Sequence, residues 1–366
     1  MSSHQSKHIL ISPLDWGLGH TARCAPLIRY IRSLGHKVTI AGNAWQRSFI
    51  EETFGAIDFI HLDGYDIVYS ASNKILQAGL ISQLPKVLNT INYEHKWLLQ
   101  VAGELQPDGI ISDNRYGLYH PTIPSVIITH QLRVQSGVGD LADSGIQKQH
   151  YKFLNRFQET WVADTGGTPN LAGKLSHPAN LPRTAKYIGL LSRFAELPLS
   201  PSNTKNDELL ILLSGPEPQR SILSGILWKH SVVYPGHVTF VEGNEAAAPP
   251  ASVPPNISYY KRLTESALGP LLINAGMVIC RSGYSTIMDL VALQKKAILI
   301  PTPGQTEQEY LGKHLHNSGV FYCTRQDRFD LNASMKAAAL FPFAVPALQH
   351  SFNDHKSVIN DWLLTL

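Results

Sequence analysis

The sequence predicts an α/β protein made of two parallel-sheet halves, and three observations carry that prediction. At 366 residues the chain is too long for a comfortable single core, so two domains are expected. Short apolar runs of strand length alternate with segments of helical period, the pattern of βα repeats on parallel sheets. That alternation stops in a stretch at 193–207 carrying Pro198, Ser200, Pro201, Ser202 and Asn203, and then restarts.

The first half opens with a buried strand at 9–11. It feeds the loop Ser12-Pro13-Leu14-Asp15-Trp16-Gly17-Leu18-Gly19-His20 and then a helix with Pro26 in its first turns. Leu27, Tyr30, Ile31 and Leu34 are spaced for one face of that helix, Gly35 is placed to end it, and the next strand is 38–41. Further strands are expected at 59–62, 109–112, 125–129 and 159–163. Between them Ile75, Leu76, Leu80, Leu84, Val87, Leu88 and Ile91 make an amphipathic stretch, read as core-facing helix, with a lipid-touching surface as the competing reading.

The second half starts with a strand at 209–213 that ends in Ser214-Gly215-Pro216. A helix around 221–228, a strand at 237–241, a Pro- and Ala-rich loop at 246–255 and a strand at 257–260 follow. Residues 278–319 then read as strand, turn, helix, strand, turn, helix, with turns at Arg281-Ser282-Gly283 and Pro301-Thr302-Pro303-Gly304. A terminal helix is expected over 351–366. The boundaries are therefore 1–192, a linker at 193–207, 208–348, and a C-terminal helix at 349–366.

Composition narrows the function. Apolar residues at 43% and charged residues at 16% describe an ordinary globular protein. A net charge of +3 suits anionic ligands or an anionic surface, but no basic run suggests nucleic acid. Cys24, Cys280 and Cys323 are scattered without zinc-like spacing, which fits thiols in a reducing cytoplasm and no metal centre. The polar start is not expected to be a signal peptide, and the apolar runs fall short of the roughly 18 residues that span a bilayer.

The chemistry-bearing residues fall at carboxyl ends of the expected strands, the edge where open parallel sheets bind ligands. Gly17 and Gly19 match two positions of a dinucleotide fingerprint loosely, with Ala22 at the third. His20 opens the next helix, where a neutral imidazole can accept a proton from a hydroxyl. Asp113 and His130 end two further strands; Asp113 either orients His20 or is itself the base. Ser214, Gly215 and Arg220 could hold a phosphate, against the plainer reading that Ser214 caps a helix. Arg281, Ser282, Gly283, Ser285 and Thr286 place hydroxyls and amides at a helix start, suited to a diphosphate. Asp289 is placed to accept from ribose hydroxyls or to complement the helix dipole. Gln305, Gln308 and Glu309 offer donors and acceptors for sugar hydroxyls. No Asp-x-Asp occurs, which argues against a carboxylate-bridged metal.

Taken together these residues resemble the two-domain GT-B glycosyltransferases. The resemblance is nearest to the family 28-like enzymes that include the peptidoglycan lipid-intermediate N-acetylglucosaminyltransferase and plant galactolipid synthases. It rests on Cys280-Arg281-Ser282-Gly283, Asp289, Pro301 and Gln308 seven residues after it, and on Gly17, Gly19, His20 and Thr129-His130-Gln131. It implies two Rossmann-like domains facing across a cleft, with a C-terminal helix packed back on the first. It also implies that the Ser-Gly turn receives the diphosphate, the acid the ribose and a Gln pair the donor sugar. Asp289 stands where the family has Glu, and Glu309 where it has a second Gln. The implied activity is inverting, metal-independent transfer of a hexose or N-acetylhexosamine from a UDP-sugar, with no other cofactor. The acceptor would be a small or lipid-linked molecule, met in the cytoplasm or on the inner face of the membrane. A UDP-N-acetylglucosamine 2-epimerase and a non-catalytic nucleotide-sugar binding protein are the competing expectations.

Overall fold

The computed structural model describes residues 5–65, 84–134, 140–198 and 208–366. Ile75, Leu76 and Leu80 of the amphipathic stretch, and Ser200 to Asn203 of the expected linker, lie outside them. The chain divides into two compact units, one holding Met1–Ile67, Leu80–Ser192 and His350–Leu366 and the other Arg193–Gln349 together with Val68–Gly79.

Among the described residues the first unit has one seven-stranded sheet: β1 (His8–Pro13), β2 (Lys37–Gly42), β3 (Asp58–His61), β4 (Gly109–Asp113), β5 (Ser125–Thr129), β6 (Glu159–Val162) and β7 (Ala185–Tyr187). Their order is β3-β2-β1-β4-β5-β6-β7, and each pairing is parallel. β4 and β5 are buried along their whole length, and so is β1 after its first residue. That is why these strands read as continuous apolar runs rather than alternating ones. Helices α1 (Leu18–Ser33), α2 (Ala44–Phe54), α3 (Leu84–Leu105) and α4 (Asp140–Leu154) connect them.

Among the described residues the second unit has six parallel strands: β8 (Leu209–Leu212), β9 (Val238–Val241), β10 (Ile257–Tyr260), β11 (Met277–Cys280), β12 (Ala297–Leu299) and β13 (Tyr322–Cys323), in the order β10-β9-β8-β11-β12-β13. Its helices are α5 (Gln219–Val232), α6 (Glu265–Asn274), α7 (Tyr284–Ala292), α8 (Thr306–Asn317) and α9 (Leu331–Ala339).

The chain order reverses between β1 and β4 in one sheet and between β8 and β11 in the other. At such switch points neighbouring loops diverge and leave a crevice at the carboxyl ends. Pro13 at the end of β1 lies opposite Asp113 at the end of β4, and Leu212 of β8 opposite Cys280 of β11. The loops carrying His20, Asp113, Ser214 and Ser282 therefore all leave from switch points.

Several elements differ from the expectation. α2, α4, α6 and α9 have no counterpart in the expectation; α2, α6 and α9 each bury few apolar side chains, α2 only Gln46, Phe49 and Ile50. Their legible signals are caps: Asn43 and Gln46 form a capping box, Thr264 accepts from Ala267 N–H and Asp330 from Ala333 N–H. The final helix, α10 (Asp354–Leu363), is shorter than 351–366 because a 3₁₀ turn, Gln349–Phe352, precedes it. It belongs to the first unit, where the fully buried Trp362 meets Trp161 edge to face at 5.5 Å. Gly109 permits this, since a Cβ there would stand 2.6 Å from the Trp362 ring. The first part of the expected linker is packed: Phe194 is buried, and Leu197 lies against Gly269.

Candidate functional site

In the first unit the β1–α1 loop is tied down before it reaches His20. Leu14 N–H donates to Asp113 O at 3.0 Å, and the buried Gln46 carboxamide donates to Pro13 O at 3.0 Å and Thr21 Oγ1 at 3.2 Å. Gly17 starts α1 at φ 95°, a left-handed conformation that glycine adopts without penalty. Gly19 and His20 then lie in the first turn of the helix.

His20 Nδ1 lies 3.1 Å from Asp113 Oδ2. Arg23, one helical turn on, donates from Nε to both Asp113 oxygens at 3.1 and 2.9 Å and from Nη2 to Oδ1. Its Nη1 donates to His130 Nδ1 at 3.1 Å. Asn114, with its carboxamide turned to satisfy both atoms, donates to Thr129 Oγ1 at 3.0 Å and accepts from Arg23 Nη2 at 3.2 Å. The structure thus gathers His20, Asp113 and His130, and adds Arg23 and Asn114, which sequence reasoning missed. Arg23 shares a helix face with His20, as residues i and i+3 do.

Burial alone would raise the Asp113 pKa. Arg23 first and His20 second outweigh it and hold the carboxyl at about 2. The His20 pKa is lowered, chiefly by burial and next by Arg23, against the opposing pull of Asp113. A neutral His20 donating Nδ1–H to a carboxylate presents a lone pair on Nε2. Asp113 is fully buried, and both of its oxygens are engaged by His20 and Arg23. A second buried pair stiffens the same edge. Arg115 Nε donates to Glu94 Oε1 at 2.8 Å and Nη1 to Pro13 O at 3.4 Å, while Tyr65 OH and Gly117 N–H donate to Glu94 Oε2 at 2.8 and 3.0 Å.

The second unit is built differently. Arg281 is buried, and its guanidinium is spent on backbone: Nη1 on Ile300 O and Pro301 O at 3.2 and 3.1 Å, Nη2 on Gln219 O at 2.7 Å. Burial lowers its pKa to about 10. Arg281 thus braces the ends of β11 and β12 against α5. Ser282 Oγ donates to Gln308 O at 2.8 Å, Gln308 Oε1 accepts from Thr302 N–H at 2.9 Å, and Glu309 Oε1 accepts from Gly304 N–H at 2.8 Å. These side chains hold the two turns in place.

Gly283 caps α7 without a side-chain hydrogen bond, and Ser285 and Thr286 stand half-buried in its first turn. The opening N–H groups of a helix have no intrahelical acceptor, so this turn suits an anion. Asp289 lies in the second turn of α7, 3.5 Å from Arg193 Nε. Arg193 had been assigned to the linker. Ser214 and Gly215 follow β8, with Gly215 at φ 101° and open space where a Cβ would stand. Two buried polar atoms on this edge lack partners among the described residues: Arg220 Nε, whose Nη2 reaches Glu217, and Gln305 Oε1, at the N-cap of α8. A donor and an acceptor left unmatched in the same region fit a polar ligand.

Residues 260–340, which include the Arg281–Glu309 segment, match the glycosyltransferase family 28 C-terminal domain. An uncharacterized glycosyltransferase of Methanosarcina mazei is 20% identical over 389 residues, covering 95% of this chain and 99% of the relative. Another from Methanosarcina acetivorans is 22% identical over 345 residues, covering 87% and 85%. Among solved structures, the glycotransferase of kitacinnamycin superposes with a TM-score of 0.64 at 15% identity, over 98% of this chain and 96% of that one. MurG of Acinetobacter baumannii does so with 0.57 at 14% identity, over 98% and 100%. The fold is that of the GT-B glycosyltransferases, and the chain is an enzyme of the glycosyltransferase class.

Proposed function

We propose that the protein is an inverting, metal-independent transferase that moves a hexose or N-acetylhexosamine from a UDP-sugar to an acceptor hydroxyl. The observation that carries the reading is the His20–Asp113 contact at 3.1 Å, with Asp113 closed off by Arg23. His20 Nε2 takes the hydroxyl proton as the acceptor oxygen bonds to the anomeric carbon. The bond from that carbon to the diphosphate breaks on the opposite side, and UDP leaves with the electron pair.

On the donor side the first turn of α7 meets the diphosphate, so the leaving charge is met by main-chain donors. Ser214, Gly215 and Arg220 lie beside it, Asp289 takes the ribose with Arg193 nearby, and Gln305, Gln308 and Glu309 face the sugar. The second unit is then the donor half and the first the acceptor half. Trp16, Trp45 and Tyr93 are exposed in the first unit, which supports a lipid-linked acceptor and peripheral contact with the cytoplasmic face of a membrane. VinC, a glycosyltransferase of the same fold, is described in complex with dTDP, so both nucleotides belong in the test.

The experiment is nucleotide release from panels of UDP- and dTDP-sugars, with and without lipid extract or small-molecule hydroxyl acceptors. Acceptor-stimulated release of UDP, with an inverted linkage in the product and no loss on adding EDTA, is the expected result. A C2-inverted sugar still attached to UDP would show an epimerase instead. Tight binding without product would show a binding protein.

A further inference from the structure

Arg23 does more than an ion pair with Asp113 requires. Its Nε and Nη2 engage both carboxylate oxygens, and Nη1 reaches His130 Nδ1 at 3.1 Å. A guanidinium only donates, so His130 Nδ1 must carry the lone pair and that ring's proton sits on Nε2. An ionised Asp113 only accepts, so His20 Nδ1 must carry the proton and its lone pair sits on Nε2. One buried side chain thus sets the His130 ring directly and the His20 ring through Asp113, in opposite senses.

The second consequence is electrostatic. A histidine–aspartate pair alone is negative at rest and becomes neutral on taking a proton. With Arg23 the cluster is neutral at rest and becomes positive, in a buried setting where the extra charge is poorly screened. The groups facing His20 are Asp113 on β4, Arg23 on its own helix and His130 after β5. Close to Asp113 stand the Tyr116 hydroxyl and the Cys24 thiol, both kept protonated by burial. Of the groups facing His20, Arg23 is the permanent cation and opposes its protonation most, with His130 acting in the same direction more weakly.

We propose that Arg23 is a positioning residue of the transfer site: it locks His20 and His130 in opposite tautomers, a bare Nε2 on one and a protonated Nε2 on the other, and keeps the resting cluster electrically neutral. Its use in catalysis rests on the reading of His20 as base, but the tautomers belong to the folded chain and can be measured without turnover.

The test is long-range ¹H–¹⁵N correlation spectroscopy on the full chain with ¹⁵N-labelled histidine, from pH 5 to 8. Variants His20→Gln and His130→Gln assign the two rings. The expected wild-type result is an Nδ1–H tautomer for His20, an Nε2–H tautomer for His130, and a His20 midpoint below the ordinary 6.5. Arg23→Gln should raise that midpoint by about one pH unit or more and mix the His130 tautomers. Arg23→Lys should move the midpoint much less, because it keeps the charge, while still loosening His130. The reversed tautomer at either ring in the wild-type protein, or a folded Arg23→Gln with an unchanged midpoint, would overturn the proposal. If Arg23→Gln does not fold, the wild-type tautomers and the Arg23→Lys spectrum decide. Tautomers as stated in a protein that transfers no sugar would remove the proposed function alone, and reversed tautomers in an active transferase would remove this inference alone.

Discussion

The carboxyl edges of the two sheets are held together by different materials. In the first unit charged side chains turn toward one another: Asp113 lies between His20 and Arg23, and Glu94 receives Arg115 and Tyr65. In the second the side chains turn back on the backbone. Arg281 holds three carbonyls, Ser282 a fourth, and Gln308 and Glu309 hold the amides of Thr302 and Gly304. Moving a proton needs titratable groups fixed in one state, which buried partners provide. Holding a diphosphate needs main-chain donors fixed in direction, which braces provide. On the proposed function, the difference between the edges is a division of labour.

The sharpest way to break this comparison is Asp113→Asn. The replacement cannot hold His20 in the same tautomer, and it leaves the buried Arg23 without its counter-charge. Nucleotide release with a working donor and acceptor should fall about 10³–10⁴-fold, and unfolding should be easier by about 3–5 kcal/mol. Steady-state kinetics and urea denaturation read the two effects, and an intact rate would remove the catalytic half of the contrast.

Arg281→Met is the matching change in the second unit. Three carbonyls lose a charged donor, at a cost of about 2–4 kcal/mol in denaturant unfolding. If the brace serves donor binding, KM for the donor should rise more than kcat falls in protein that remains folded.

Acid should weaken the first unit in particular. Burial holds His150 and His355 at pKa values of about 4. The unfolded chain takes up these protons below about 6.5 and the folded chain only near 4, so stability falls as pH drops through that window. Each histidine should cost about 1–2 kcal/mol by pH 5. His355→Gln should flatten the slope between pH 7 and 5 in chemical denaturation.

The smallest effect is expected from Glu309→Gln. A carboxamide oxygen can still accept from Gly304 N–H, so stability should stay within about 0.5 kcal/mol. Any change should appear in the ranking of donor sugars, read from competition between UDP-hexoses.

The parallel sheets were legible because fully buried strands such as Ile9-Leu10-Ile11 and Ala297-Ile298-Leu299 are plain apolar runs. The short β7 and β13 were not, since three and two residues leave no pattern. The candidate residues near strand ends were legible for a related reason: His20, Asp113, Ser214 and Ser282 follow runs that can be counted. Arg23 and Arg193 were not, because what makes each notable is a partner about 90 or more residues away, Asp113 for one and Asp289 for the other. The position of Arg281 beside the glycine turn was legible, but its partners were not: the carbonyls of Ile300, Pro301 and Gln219 come from three other points of the chain.

The most direct measurement is His20→Ala tested for both halves of the division at once. UDP binding, followed by thermal stabilisation or calorimetry, should be unchanged within about twofold. Acceptor-stimulated nucleotide release should fall at least about 10²-fold. Undiminished release from His20→Ala, or loss of UDP binding together with activity in a folded variant, would contradict the account.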